Sequence, residues 1–201
     1  MLAVLLGQHF VGAPKPFSID HYQVYPATHF PGREYDAALS PDGSRITYIA
    51  DRPDQPAQVF IKMLQGEQAL QLSQDDGPVS SPRWLPDGEG ILVVRPEGLG
   101  DGRVRSDLFV WRWKGGGLRR VTHGAGIRDA DPEPGGTTAV GTRCLDGACD
   151  LVRIDLATGS VTMVADGVPG ERSWHRPRVS PDGARIAASV QEGGRWRLAL
   201  L

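Results

Sequence analysis

The tetrapeptide Ser40-Pro41-Asp42-Gly43 returns as Leu85-Pro86-Asp87-Gly88 and again as Ser180-Pro181-Asp182-Gly183. A degenerate copy, Glu133-Pro134-Gly135-Gly136, lies between the last two, so the four prolines are 45, 48 and 47 residues apart. Proline presets φ, aspartate bonds its own backbone and glycine accepts a positive φ, so each copy predicts a tight turn. A turn repeated at this period indicates a chain built from one supersecondary unit.

Short β-rich runs separate these turns. The runs directly after the turns are Ile46–Ile49, Ile91–Val94, Thr138–Val140 and Ile186–Val190. Further runs follow at a spacing of about 8–12 residues, which is typical of antiparallel all-β structure. No segment has the apolar periodicity of a helix. Four short strands in each unit predict the blade of a β-propeller, and runs that are apolar on both faces favour blades packed between two neighbours.

Composition and charge narrow the class of protein. The chain has 201 residues, 40% apolar and 23% charged, as in an ordinary globular protein. Its net charge of −2 gives no reason to expect a nucleic-acid partner. No apolar run approaches the roughly 20 residues that span a membrane. We expect residues 1–21 to form an N-terminal tail, which is either the remnant of a lost anchor or signal, or a packed apolar tail.

The repeat resembles that of the TolB-like β-propeller family. The best matches are Ser81–Gly88 and Arg176–Gly183, and Arg119–Thr122 is similar to the strand that closes the family's repeat. The resemblance covers residues 22–201, with repeats beginning near residues 33, 79, 127 and 174. The third repeat departs from the pattern at Gly135 and Ala139, which predicts a looser turn but a retained blade.

The resemblance implies an all-β fold, a β-propeller of four-stranded antiparallel blades. About four blades are present, as an incomplete segment of a propeller of six or so. It also implies a periplasmic or other extracytoplasmic location, with the cytoplasm as the alternative. The family's namesake binds a lipoprotein in the cell envelope. The same repeats form the gating propeller of prolyl-oligopeptidase-like serine peptidases and the sensor end of membrane-anchored regulators. Because one fold serves several functions, a non-catalytic binding module is our first hypothesis and the other two are alternatives.

Strand counting leaves two alternatives for closure of the propeller. Tyr22–Thr28 precedes the first repeat in the manner of a closing strand, whereas Leu201 ends the fourth repeat in its third strand. In one alternative, the N-terminal strand completes the last blade and four blades close a ring, which removes the exposed sheet edges. In the other, which the family's blade count favours, the chain is an open arc of a larger propeller.

The sequence contains no motif for catalysis. It lacks Gly-x-Ser-x-Gly, His-Glu-x-x-His and the phosphate-binding loop, and its five histidines are not spaced as metal ligands. We therefore expect no enzyme activity, cofactor or metal. Cys144 and Cys149 flank a hairpin turn. They form a cross-strand disulfide in an oxidising compartment or remain two reduced thiols.

Candidate binding residues lie where the chain enters the innermost strands, because these strands line a propeller's channel. We predict a rim that binds a protein or peptide, formed by Arg33, Glu34, Tyr35, Asp36, Ser80, Ser81, Arg83, Arg128, Asp129, Asp131, Trp174, His175, Arg176 and Arg178. Arginine and aromatic residues are enriched at binding hot spots. Trp174 is expected to face a ligand, and Trp84, Trp111 and Trp196 to lie in the core. The alternative is that a hydrated channel simply needs polar walls.

Overall fold

The computed structural model describes residues 24–29, 31–53, 55–73 and 77–201. These residues form fifteen β-strands in four antiparallel sheets and contain no helix. The predicted all-β propeller of about four blades is therefore confirmed. Within the described ranges, no helix is long and apolar enough to cross a membrane.

Each sheet is one blade, and its strands follow one another in chain order. Blade 1 consists of β1 (Arg33–Leu39), β2 (Arg45–Arg52), β3 (Gln55–Met63) and β4 (Ala69–Gln71). Blade 2 consists of β5 (Ser80–Trp84), β6 (Gly90–Gly98), β7 (Val104–Arg112) and β8 (Gly117–Arg120). Blade 3 consists of β9 (Ile127–Pro132), β10 (Thr138–Leu145), β11 (Ala148–Asp155) and β12 (Val161–Ala165). Blade 4 consists of β13 (Arg172–Val179), β14 (Ile186–Glu192) and β15 (Arg195–Leu200).

The repeated tetrapeptide forms the turn between the first two strands of every blade. In all four copies the final glycine donates its N–H to the carbonyl of the first residue, at 2.8–2.9 Å. The third copy is as tight as the others, so the expected looser turn is wrong, while the retained blade is confirmed. The missing aspartate leaves this turn without the side-chain acceptor that the other copies have, but Glu133 anchors the turn to its neighbouring strands, because its carboxylate accepts hydrogen bonds from Thr138 Oγ1 and from the Arg153 guanidinium.

The core lies between the blades, and β6 shows how alternation builds it. Ile91 and Val93 pack into a cluster shared with blade 1, whereas Leu92 and Val94 pack into a cluster shared with blade 3. Successive side chains of a strand point to opposite faces, so a strand with two apolar faces is buried between two neighbouring sheets. This is the packing expected for the run Ile91–Val94.

Blade 4 lacks both a fourth strand and a neighbour within the described part of the chain. Its outer strand β15 is an edge, and no strand of blade 1 contacts a strand of blade 4. The blades therefore form an open arc. Trp196, Leu198 and Leu200 alternate along β15 and are 60%, 88% and 67% exposed, because no further sheet covers that face.

The described part of the segment Tyr22–Thr28 does not form the expected closing strand. Residues 24–29 adopt no strand, and the first two residues of the expected strand lie outside the described ranges, as does the tail 1–21. Thr28 Oγ1 donates a hydrogen bond to Glu34 Oε2 at 2.6 Å, which places this segment beside β1 and not beside β15. The described residues thus contain no ring closure of the kind that the four-bladed alternative requires.

Candidate binding site in the channel

A cavity of about 620 Å³ lies at the inner edge of the arc and is lined by all four blades. Seven of its lining residues were predicted at the rim and come from the inner strands β1, β5, β9 and β13. They are Asp36, Ser80, Ser81, Arg128, Asp129, His175 and Arg176. The inner strands thus bring together side chains that are about 140 residues apart in sequence.

A β-bulge interrupts every inner strand at the cavity. Asp36, Ser81 and Arg176 sit in these breaks of register and have φ values of 54°, 53° and 50°. Each lies five residues before its repeat proline. In blade 3 the extra residue of the bulge is Arg128, because Asp129 pairs with Thr142. Bulges re-aim side chains, and a left-handed residue other than glycine costs about 1–3 kcal/mol.

Asp129 is the most deeply buried charged residue of the cavity wall. Its side chain is 9% exposed, and its Oδ2 accepts a hydrogen bond from Arg178 Nη1 at 3.3 Å. Its Oδ1 is buried, with almost no solvent-accessible surface. Burial raises the pKa of Asp129 to about 6, and the charges of Asp36 and Asp131 act in the same direction, against the opposing charge of Arg83 and the backbone N–H of Ala130. The site therefore holds a carboxylate whose ionisation is unfavourable.

A layer of ion pairs lies behind the cavity. The Arg83 Nε and Asp131 Oδ1 atoms are 3.8 Å apart, and Asp131 Oδ2 accepts the N–H of Val179 at 2.8 Å. Burial raises the pKa of Asp131 despite these two interactions. Arg83, Asp131 and Arg178 line a second cavity of about 470 Å³ and not the first one. These three predicted rim residues thus support the wall of the first cavity from behind.

Trp196 and His175 form the aromatic part of the cavity. Their ring centroids are 5.0 Å apart, with an interplanar angle of 56°. Burial and the neighbouring charge of Arg176 lower the pKa of His175, and its Nε2 is buried without a hydrogen-bond partner. The expectation that Trp196 lies in the core is wrong, since the outer strand β15 has no covering blade. Trp84, by contrast, is buried as expected.

Four predicted rim residues lie outside both channel cavities. Trp174 donates its indole N–H to Asp166 O at 2.9 Å, and Arg33 Nη2 lies 2.7 Å from Asp51 Oδ2. Glu34 is bound by Thr28, and Tyr35 is 40% exposed at the far end of β1. All four residues precede the bulges of their strands, and the cavity begins at the bulges.

Three cavity residues were missed by the sequence-based prediction, namely Thr142, Ser189 and Trp196. Thr142 is the direct cross-strand partner of Asp129, and Ser189 is the partner of His175. A register assignment for the first two strands of each blade would have found both. The sequence offers no such guide for Trp196, because its exposure depends on what packs against β15, and none of the described sheets does.

The Cys144 and Cys149 sulfur atoms are joined across the β10–β11 pair, at 1.96 Å. The two residues are direct partners in the register. Asp146 and Gly147 make the two-residue turn between the strands, and both have positive φ, as a type I′ turn requires. Among the described residues, no group of three or more metal-ligating side chains is assembled.

Comparison with known proteins agrees with this architecture. The family model of the TolB β-propeller domain matches residues 35–201. The chain belongs to this family. Residues 35–201 include the inner strands of all four blades, and hence the channel cavity, so the site described above is part of the family domain.

A curated relative and two solved structures are similar to parts of the chain. An uncharacterized peptidase, YuxL, of Bacillus subtilis is 41% identical over 76 residues, which is 38% of this chain and 12% of the peptidase. TolB from Acinetobacter baumannii superimposes with a TM-score of 0.64 at 18% identity, over 85% of this chain and 43% of that one. A putative TolB from Agrobacterium tumefaciens gives 0.66 at 19% identity, over 83% and 65%. The chain thus spans less than two thirds of each relative.

Proposed function

We propose that this propeller is a non-catalytic module that binds a protein or peptide segment in its channel. The observation that supports this most directly is the cavity itself, because all four blades contribute to its wall, where Arg128, Arg176 and Trp196 are exposed. Arginine and tryptophan are among the residue types that dominate binding hot spots.

The size and the lining of the cavity suit a peptide. Its volume of about 620 Å³ falls within the range of roughly 300–1,000 Å³ that is common for ligand pockets. The wall offers hydroxyl groups from Ser80, Ser81 and Ser189, which can donate to or accept from a peptide backbone. Trp196 supplies an exposed apolar face of the kind that anchors many protein interfaces.

The side chains of the cavity are not arranged for acyl transfer, although serine, histidine and aspartate all line it. Ser81 Oγ donates to the carbonyl of Arg128 at 3.5 Å and not to a histidine. His175 Nε2 has no hydrogen-bond partner, and Asp129 is bound by Arg178. A nucleophilic serine needs a hydrogen-bonded base that is itself oriented by a third group. This supports a binding role for the site.

An array of random octapeptides tests the proposed function. Labelled protein is expected to bind a subset of the peptides saturably, and the tightest binders are then titrated in solution by fluorescence polarisation. Trp196→Ala should weaken binding at least tenfold, or about 1.4 kcal/mol. Leu198→Ala is the matched control, since Leu198 is exposed on the same strand but does not line the cavity. Absence of saturable binding, or equal affinity of native protein and Trp196→Ala, would contradict the proposal.

The similarity to the Bacillus peptidase favours a second candidate function, the substrate-gating propeller of a serine peptidase. In that case the same channel admits peptide substrates to a separate catalytic domain. The test is to express the complete open reading frame and to label it with a fluorophosphonate, which reacts with activated serines. Labelling of a Gly-x-Ser-x-Gly serine beyond this propeller would establish this candidate in place of the first.

We further propose an extracytoplasmic location. A disulfide between Cys144 and Cys149 persists in oxidising compartments and is rare in the cytosol. Mass spectrometry of the protein isolated under alkylating conditions from its native cells tests this proposal. An unmodified, disulfide-bonded pair is expected, whereas two alkylated thiols would place the protein in a reducing compartment.

A further inference from the structure

Two guanidinium groups face the channel cavity without a partner. Arg128 on β9 and Arg176 on β13 belong to neighbouring inner strands, and both side chains line the cavity. Neither makes a side-chain hydrogen bond or an ion pair with any residue that the structure describes, and both residues are exposed. Arg83 and Arg178, in contrast, are engaged by Asp131 and Asp129. The free arginines are therefore available to a ligand.

The backbone holds both arginines in irregular positions at the cavity. Arg176 has a φ of 50°, and Arg128 is the extra residue of the bulge in β9. A regular β-strand would contain neither a positive φ nor an extra residue. Bulges are common beside binding sites, where they redirect a side chain, and left-handed residues persist only where the surrounding structure enforces them. The two guanidinium groups are thus positioned by the fold.

The charge balance of the channel favours an anion. The charged residues that line the first cavity are two arginines and two aspartates, namely Arg128, Arg176, Asp36 and Asp129. Arg178, from behind the wall, forms an ion pair with Asp129. Two arginines and one aspartate therefore remain without an ion pair among the described residues of this wall. A singly charged carboxylate meets less repulsion from Asp36 and Asp129 than a doubly charged phosphate does. Arginine binds carboxylates with paired, charge-assisted hydrogen bonds.

We propose that the channel cavity receives a carboxylate-bearing peptide segment, whose carboxylate binds the guanidinium groups of Arg128 and Arg176. The carboxylate comes from an acidic side chain or from a free C-terminus, since both present the same group. This inference rests on the proposed function, because it specifies which peptides the channel binds. It accounts for the two exposed cations that have no partner among the described residues.

The test uses four forms of one octapeptide taken from the tightest binders of the array. The first has one glutamate and an amidated C-terminus, the second has glutamine and a free C-terminus, and the third has glutamine and an amide. The fourth has phosphoserine in place of the glutamate. Each is titrated by fluorescence polarisation against the native protein. We expect the first or the second form to bind at least tenfold more tightly than the third, and the tighter of the two identifies the source of the carboxylate.

Substitution of the arginines gives the second readout. Arg128→Gln and Arg176→Gln should each weaken the carboxylate peptide about tenfold and leave the neutral third form unchanged. Arg185→Gln is the matched control, because Arg185 is exposed in the turn of blade 4 and does not line the cavity. Raising the salt concentration should weaken only the carboxylate peptides, since exposed charges are screened. Circular dichroism confirms that each variant is folded.

Three outcomes would overturn the inference. If all four forms bind equally and Trp196→Ala still weakens their binding, the channel does not recognise a carboxylate, but the proposed function stands. Tightest binding of the phosphoserine form would replace the carboxylate with a phosphate. If no peptide binds, both this inference and the proposed function are wrong.

Discussion

Asp129→Asn should make the protein more stable at neutral pH, even though it removes a charge that contacts an arginine. Burial outweighs the Arg83 charge and raises the pKa of Asp129 from its ordinary value of 3.8 to about 6. At 1.36 kcal/mol per pH unit, ionisation of this carboxyl in the folded protein costs about 3 kcal/mol relative to the unfolded chain. Asparagine has a similar shape and needs no ionisation.

The difference in unfolding free energy between Asp129→Asn and the native protein should depend on pH. Below about pH 4 the carboxyl is protonated in both states, so native protein and variant should differ little in unfolding free energy. Between about pH 4 and pH 6 the folded state of the native protein binds more protons, and its stability falls as the pH rises. Above about pH 6 the full difference is reached, and Asp129→Asn should then be more stable by about 3 kcal/mol.

Urea unfolding at pH 4 to 8, followed by tryptophan fluorescence and extrapolated to zero denaturant, measures this difference. Asp107→Asn is the matched control. Burial alone would raise the pKa of Asp107, but hydrogen bonds from Ala125, Thr122, Arg120 and Gly124 hold it below its ordinary value. That variant should therefore be less stable than the native protein at pH 8. If Asp129→Asn is also less stable at pH 8, the ionised carboxylate is stabilised in the folded state and the argument that burial disfavours its ionisation fails.

Two further predictions concern the fold. Leu198→Ala should change the unfolding free energy by less than about 0.5 kcal/mol, whereas Leu108→Ala should cost about 2–5 kcal/mol, because Leu198 is 88% exposed and Leu108 is fully buried. Comparable costs for the two variants in urea unfolding would show that the outer face of blade 4 is covered in solution. Reduction of the Cys144–Cys149 disulfide should lower stability by about 2 kcal/mol, because the loop that it closes is short. Unfolding with and without dithiothreitol measures this, and an unchanged midpoint would contradict the expectation.

Local chemistry made the blades predictable from sequence. Each repeated tetrapeptide contains the residues that its own turn needs, so the turn does not depend on distant contacts. The composition of the run Ile91–Val94 likewise predicts its surroundings, since a strand with two apolar faces is buried between two neighbouring sheets. Even the degenerate copy at Glu133–Gly136 forms the turn, although the sequence analysis did not predict the hydrogen bonds that Glu133 accepts from Thr138 and Arg153.

The residues of the cavity were only partly predictable, because their positions depend on bulges and on missing neighbours. The repeat placed Asp36, Ser81 and Arg176 on the channel side, but their positive φ follows from a break in register that no local pattern marks. Trp196 lines the cavity, as was expected of Trp174, whereas Trp174 donates a hydrogen bond to Asp166 O outside the cavity and does not lie in the core. The exposure of a tryptophan on an outer strand depends on whether another sheet packs against it, and none of the described sheets packs against β15.

The sequence by itself determined that this protein is a series of β-blades with polar and charged residues at the inner strands, because turn residues and strand alternation act over a few neighbours. Tertiary structure alone decided that Arg128 and Arg176 have no partner among the described residues, that Asp129 is buried in the cavity wall, and that the described arc is open. Pairing and burial depend on residues from other blades, about 50 to 140 positions away in the chain, and a repeat read alone does not contain them.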